Sequence, residues 1–254
     1  MERFIKQLVV GSGKILRREF RSIGVAGKSK SDALDIVTHV DLLAEKNIIS
    51  AIKRKFPKHQ ILSEEAGDNQ LKSDHLWVID PLDGTLNFAR GIPEFVTQVA
   101  YIKNGQIEFA AVYDPMNSQL FYAQRGKGAF CNGKQIKCSQ VKDYKNCIVT
   151  LNAFYNTDTL KLINKVSTAS KNRHFRVRNT GALGLAGVYT ASGKFDYLIS
   201  NSGKFWDYAP PAMILKEAGC VVKNFKGKDW KFTDKEFIAG NKTLVNSVLK
   251  VLAK

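Results

Sequence analysis

The sequence predicts an α+β protein whose first half carries an antiparallel meander and whose second half alternates strands with helices. Three observations lead there. Short apolar runs at 96–103, 107–113, 120–124 and 128–131 are separated by turn signals, Asn104-Gly105 and Asp114-Pro115 among them. Such signals mark hairpins rather than strand–helix–strand units. Ahead of them, residues 2–22 set Phe4, Ile5, Leu8, Val9, Ile15, Leu16 and Phe20 on one helical stripe. Beyond residue 140, strand-like runs at 147–151, 175–177, 195–199, 220–222 and 237–239 interleave with helical segments at 157–168, 181–192, 208–217 and 244–252. The expected division is therefore 1–140 and 141–254, the second part a layered α/β arrangement.

The 254 residues suffice for a large core, and the balance of 44% hydrophobic to 24% charged residues is that of a soluble globular chain. No apolar run approaches the roughly 18 residues of a membrane span, and Leu8-Val9-Val10 is too short for the core of a signal peptide. Cys131, Cys138, Cys147 and Cys220 fit no zinc-ligand spacing. Reduced thiols, a cytoplasmic location and no membrane partner are expected, with Cys220 in the core. The net charge of +16 is spread over 14–30, 53–58, 161–178 and 223–231 without a nucleic-acid motif. Solvated lysine-rich faces explain it better than nucleic acid as a partner.

In chain order, the polar, Gly-containing stretch 24–31 reads as a loop carrying Lys28 and Lys30. Leu42, Ile48, Ile49, Ile52 and Phe56 suit a helix face, for which Thr38 and Asp41 are both plausible starts. Asp41 by itself is a cap or first-turn charge, and His39 a structural histidine. Gln60-Ile61-Leu62 reads as a strand ending at Ser63-Glu64-Glu65.

The stretch Trp77-Val78-Ile79-Asp80-Pro81-Leu82-Asp83-Gly84-Thr85 organises the rest. It opens as a buried strand and ends in two breaker pairs, Asp-Pro and Asp-Gly. Each pair alone is an ordinary turn. Together they set two carboxylates three residues apart at a strand end, beside a second strand end bearing Glu64. Hard cations such as Mg²⁺ take oxygen ligands of this kind together with phosphate oxygens. Gly84 allows close backbone approach, and a helical turn from Thr85 would offer free N–H groups to a phosphate. Further on, Phe205-Trp206-Asp207-Tyr208-Ala209-Pro210-Pro211 reads as the start of a helix, with both prolines in its first turn and Asp207 at its N-terminus.

Taken in order, Asp35-Ile36-Val37-Thr38-His39-Val40-Asp41, Ser63-Glu64-Glu65, Ile79-Asp80-Pro81-Leu82-Asp83-Gly84-Thr85-Leu86-Asn87-Phe88 and Trp206-Asp207-Tyr208-Ala209 resemble the shared segments of the inositol monophosphatase family. The resemblance covers nearly the whole chain. It implies a layered αβαβα fold and Mg²⁺-dependent hydrolysis of a small phosphate monoester by a metal-activated water, with two or three Mg²⁺ per site. Carried over residue by residue, the metal ligands are Glu64, Asp80, the Leu82 carbonyl, Asp83 and Asp207. The catalytic roles fall to Glu64 and to Thr85 supported by Asp41. Substrate contacts fall to Asp83, Gly84, Thr85, Gly181, Ser200, Lys204 and Asp207, and Lys30 matches a loop lysine that closes over the site. Lithium sensitivity and a homodimer are further expectations.

Two departures bear on substrate. Ser200 stands where inositol-selective members carry a glutamate for ring hydroxyls, and Lys204 stands in place of a histidine three residues before Asp207. Both favour a more anionic substrate. Asp-Gly-Thr-Leu-Asn-Phe is nonetheless closer to the inositol-phosphatase branch than to the nucleotide phosphatases. The expectation is an inositol 1-phosphate type of broad specificity. The alternatives are the same chemistry on fructose 1,6-bisphosphate, NADP(H) or 3′-phosphoadenosine 5′-phosphate. A rival of another class is an inactive scaffold or RNA-binding homologue.

Overall fold

A computed structural model describes residues 1–20, 28–29, 36–37, 39–65, 74–143, 146–152, 157–169, 176–201 and 203–253. Lys30, Asp35 and Thr38, singled out above, and the first residue of the 175–177 run lie outside the described residues. The chain opens with α1 (Glu2–Phe20), the short strands β1 (Lys28–Ser29) and β2 (Ile36–Val37), and α2 (His39–Lys55).

A seven-stranded sheet follows: β3 (Gln60–Ser63), β4 (His75–Asp83), β5 (Val96–Lys103), β6 (Gln106–Asp114), β7 (Gln119–Gln124), β8 (Gly128–Cys131) and β9 (Lys134–Gln135), hydrogen-bonded in that order. A short helix, α3 (Thr85–Ala89), interrupts it after β4. The meander runs where the sequence expects it. Its Asn104-Gly105 turn has φ of 49° and 72°, the left-handed pair that a tight hairpin needs. Only the two-residue β9 escapes the pattern, being too short to show a period.

The second sheet is built from β10 (Ile148–Asn152), β11 (Arg176–Arg178), β12 (Tyr197–Ser200), β13 (Val221–Lys223) and β14 (Phe237–Gly240), in the order β11-β10-β12-β14-β13. The first three run parallel; β14 is antiparallel to both β12 and β13. Between these strands lie α4 (Thr157–Ala169), α5 (Leu183–Ala191) and α6 (Phe205–Glu217), and α7 (Lys242–Leu252) closes the chain.

Alternation of side chains along the strands assigns the layers. Trp77 and Ile79 of β4, with Val99 and Tyr101 of β5, face Ile5, Leu8 and Val9 of α1 and Ile48 and Ile52 of α2. Their neighbours Leu76, Val78, Ala100 and Ile102 face the other way, onto Leu185 and Val188 of α5 and Met213 of α6. Leu198, Phe237 and Ala239 of the second sheet close the same core from the far side. Tyr197, Ile199 and Ile238 face outward onto Val166 of α4 and Val245 and Val248 of α7. The result is helix pair, sheet, helix pair, sheet, helix pair: the layered αβαβα fold. With both faces covered, β4 is apolar along most of its length rather than alternating.

Two features, one in the central layer and one at the start of α2, correct the sequence reading. Helix α6 starts at Phe205, not Tyr208, so Pro210 and Pro211 sit inside the helix rather than in its first turn. They remove two backbone donors there. In return they give a smooth face: a Cβ on Gly187 of α5 would lie 2.4 Å from the Pro211 Cβ, so α5 and α6 pack backbone to ring. His39 is the exposed first residue of α2 rather than part of the core pattern.

Candidate active site

Strands β3 and β4 are parallel, with Ser63 paired to Ile79. Both therefore end on the same side of the sheet, and the Glu64 N–H donates to the Ile79 carbonyl at 3.3 Å. On the other flank, β4 pairs with β5 so that Asp80 faces Gln98 but Asp83 faces Val96. Three steps on β4 are matched by two on β5, which is a bulge. In a regular strand, residues three apart point to opposite faces. The extra residue at Pro81-Leu82 brings Asp80 and Asp83 onto one face, the one turned toward α5 and α6. The breaker residues seen in the sequence thus mark a bulge inside β4, and the turn itself comes only at Gly84.

Each aspartate is held. Asp80 Oδ2 accepts from Gln98 Nε2 at 2.9 Å, and its Oδ1 accepts from the Leu82 N–H at 3.1 Å. Asp83 Oδ1 accepts from the Leu183 N–H at 3.1 Å and Oδ2 from the Gly184 N–H at 2.5 Å. Asp83 is therefore seated on the first turn of α5, where unpaired N–H groups and the helix dipole favour an anion. Asp207, the third residue of α6, accepts from the Lys204 N–H at 2.6 Å through Oδ2.

These three carboxylates offer oxygens that all lie within 4.8 Å of one another. Asp80 is fully buried, Asp83 nearly so, and Asp207 half-buried. Burial pushes the Asp83 and Asp207 carboxyls up to about 7, and Glu64 and Asp83 respectively add repulsion to each. Asp80 is raised well above the usual carboxylate range by burial and by the charges of Glu64, Asp83 and Asp207. Glu64 thus faces the cluster electrostatically, although it is not in the tight group of three. Carboxylates held this close by fixed donors, in a site shielded from water, fit a hard divalent cation.

Thr85 and Asp41 come together across 44 residues: Thr85 Oγ1 lies 3.0 Å from Asp41 Oδ1 and 2.9 Å from the Leu82 carbonyl oxygen. Asp41 is fully buried in the first turn of α2, so the capping residue read from the sequence also touches the site. Gly84 has φ of 95°, and a Cβ there would lie 2.9 Å from the Glu94 carbonyl oxygen. Only glycine fits that turn.

Gly181 lies at the rim, in the left-handed region, where a Cβ would meet the Asn87 amide. Lys204 is exposed at the cap of α6. Ser200 is fully buried at the end of β12, and its hydroxyl pairs with the Tyr208 hydroxyl at 3.1 Å. That places it behind the site rather than in its open face.

Sequence reasoning missed three supports. Gln98 orients Asp80, and its only signal was a polar residue in an otherwise apolar strand. The N–H groups of Leu183 and Gly184 leave no side-chain signature. Asn87 Nδ2 donates at 2.7 Å to both the Glu94 and Thr180 carbonyls, tying α3 to the approach to α5.

A layered αβαβα sandwich with an aspartate cluster between its two sheets defines a class of metal-dependent phosphatase folds. Within that class, the chain matches the inositol monophosphatase family over residues 1–253 and belongs to it. It is 33% identical to a Thermotoga maritima fructose-1,6-bisphosphatase/inositol-1-monophosphatase, over 89% of this chain and 85% of that one. It is equally identical, 33% over 94% of this chain and 90% of the other, to the Nus factor SuhB of Salmonella typhimurium. A solved IMPase/NADP phosphatase, complexed with Mg²⁺ and phosphate, superposes with a TM-score of 0.80 at 27% identity, covering 94% of this chain and 92% of that one. No helix among the described residues is long and apolar enough to cross a membrane.

Proposed function

We propose that this protein is a Mg²⁺-dependent phosphatase of small phosphate monoesters, of broad, inositol 1-phosphate type. The observation that carries the reading is the convergence of Asp80, Asp83 and Asp207, from a strand bulge and a helix start 124 residues apart, on one buried point. Asp80, Asp83, Asp207, Glu64 and the Leu82 carbonyl would hold the metal. A bound divalent cation makes a water nucleophilic near neutral pH and offsets charge on a phosphoryl group.

The chain's own residues do the rest. Glu64 orients a water and takes its proton. The Thr85 hydroxyl, donating to buried Asp41, leaves a lone pair free to accept from that water and fix its direction. The N–H groups around Gly84 and Thr85 hold the phosphate. Gln98 and the start of α5 keep Asp80 and Asp83 in place, so that little reorganisation is needed at the moment of reaction.

The test is phosphate release with and without Mg²⁺ from inositol 1-phosphate, fructose 1,6-bisphosphate, NADP⁺ and 3′-phosphoadenosine 5′-phosphate. Release that requires Mg²⁺ and is lost in Asp83→Asn is expected. Absence of both release and Mg²⁺ binding overturns the reading. A second reading, a scaffold that binds RNA through its basic surface, draws on the relatives named Nus factor and on the net charge of +16. It requires RNA affinity that falls steeply with salt and survives Asp83→Asn.

A further inference from the structure

Residues 136–143 follow β9 and lead toward the second sheet, and on the way they touch the end of α6. The Cys138 N–H donates to the Ala218 carbonyl at 3.0 Å, and from Ala218 the chain turns through Gly219, at φ of 88°, into Cys220. Cys138 and Cys220 are 82 positions apart in the sequence. Their side chains enter the same core, with the Cys220 thiol hydrogen-bonded to the Cys138 sulfur. All four cysteines are free thiols.

The backbone is gripped around both residues. Ser139 Oγ donates to Asp196, just before β12, and Asn241 Nδ2 donates to the Ser139 carbonyl at 3.1 Å and to the Val141 carbonyl at 2.5 Å. A Cβ on Gly193 would lie 3.3 Å from the Lys137 carbonyl oxygen. Opposite them, the Cys220 N–H donates to the Leu215 carbonyl at 3.0 Å. With the backbones fixed and the sulfurs in contact, the two side chains point at one another, as a disulfide requires.

Their environment sets them apart from the other two thiols. The hydrogen bond between them pulls Cys138 down to about 7, against the effect of burial, and pushes Cys220 up. Burial pushes Cys147 up to about 12 and raises Cys131 as well. The thiolate is the reactive form, so Cys138 is the first of the four to attack an oxidant. Cys138 and Cys220 each keep 6% exposure, beside the exposed Lys137 and Gly219, which leaves a small oxidant a way in.

We propose that Cys138 and Cys220 form a dithiol that hydrogen peroxide closes to a reversible disulfide, tying the chain between the two sheets to the end of α6. The Cys138 thiolate attacks one peroxide oxygen: an S–O bond forms, the O–O bond breaks, and the leaving hydroxide takes a proton to become water. The Cys220 sulfur then attacks the sulfenic sulfur: the S–S bond forms, the S–O bond breaks, and a second water leaves with the Cys220 proton. The thiols lose two electrons and the peroxide gains them. The other end of α6 carries Asp207, so the bond anchors the helix that completes the carboxylate cluster.

The proposal is independent of the phosphatase reading, and its test needs no substrate. The reduced full chain is treated with hydrogen peroxide, remaining thiols are capped with iodoacetamide in denaturant, and the digest is mapped by mass spectrometry. A linked Cys138–Cys220 peptide is expected, and dithiothreitol should abolish it. The oxidised chain should melt about 4–16 °C above the reduced one, the effect of a typical disulfide on a chain of this size.

In Cys220→Ser no linked peptide should form, and dimedone should trap the sulfenic acid at Cys138. Cys131→Ser/Cys147→Ser should keep both the link and the shift in Tm. Recovery of Cys138 and Cys220 as capped thiols while Cys131 is oxidised overturns the proposal. Loss of the linked peptide in Cys131→Ser/Cys147→Ser, with its melting curve otherwise native, overturns it as well.

Discussion

One methyl group at Gly184 should loosen the aspartate cluster from a distance. A Cβ there would lie 2.5 Å from Gln98 Oε1, 2.9 Å from Gln98 Cδ and 3.0 Å from Asp83 Oδ2. Among the described residues Gln98 Oε1 is buried with no hydrogen-bond partner, so none of them pulls it aside in compensation. To admit alanine, Gln98 must swing its Nε2 away from Asp80, or Asp83 must leave the N–H groups of α5. Overpacking of this kind costs about 1–3 kcal/mol. At roughly 2–4 °C per kcal/mol for a chain of this size, Tm should fall by about 2–12 °C. Loss of a residue that orients a ligand weakens metal binding by about 10–100-fold. Thermal unfolding in EDTA and calorimetric titration with Mg²⁺ read the two effects separately. Gly11→Ala is the control: it lies in α1 with nothing within 4 Å of the added Cβ, and should stabilise by up to about 1 kcal/mol. Wild-type Tm and wild-type Mg²⁺ affinity in Gly184→Ala would show that the contact between α5 and β5 does not hold the aspartates.

The acid–base behaviour of the cluster gives a second expectation. Burial and mutual repulsion hold Asp83 and Asp207 at about 7 and Asp80 well above the usual range. Folding therefore disfavours their charged forms. Their contribution to stability is full below the ordinary carboxylate range and is lost as pH rises through about 7. In EDTA, Tm should decline over that interval; saturating Mg²⁺, which replaces the protons, should abolish the decline. Parallel curves with and without Mg²⁺ would refute the assignment. A third expectation concerns Thr85 and Asp41. Thr85→Val or Asp41→Asn should lower kcat by about 10²–10⁴-fold, the usual range for a lost proton-transfer arrangement, while Mg²⁺ affinity is retained. Thr85→Ser should keep most of the rate, and full activity in Thr85→Val would exclude the hydroxyl from the reaction.

The candidate-site residues of β4 were legible because they are short-range: Asp80, Asp83, Gly84 and Thr85 lie within six positions, and turn chemistry must be written locally. The meander was legible for the same reason, since Asn104-Gly105 specifies its hairpin in two residues. The supports were not. Asp83 is held by backbone N–H groups 100 and 101 residues away, and a backbone donor leaves no mark on residue type. The bulge at Pro81-Leu82 reads as a turn until the register of β5 is known. Pro210 and Pro211 look like a helix start because proline is favoured there, and only Gly187 on the facing helix shows why a helix would keep them further in.

The same division between local pattern and distant support recurs where α6 meets the segment 232–235. The aspartates are fixed by elements buried in the central layer, where a change in one side chain disturbs both sheets. The cavity between α6 and the segment 232–235 is bounded on the loop side by residues whose positions depend on Asp234 and on the Tyr208 hydroxyl. Ser200 shows how this works. Its side chain turns back onto Tyr208, whose hydroxyl joins Gly203 to Lys235, and so it supports the wall of that cavity from behind. Losing this buried hydrogen bond costs about 0.5–1.5 kcal/mol, so Ser200→Ala should lower Tm in EDTA by about 1–6 °C and leave Mg²⁺ affinity unchanged in calorimetric titration; weakened Mg²⁺ binding would show that this wall and the aspartate cluster are not independent.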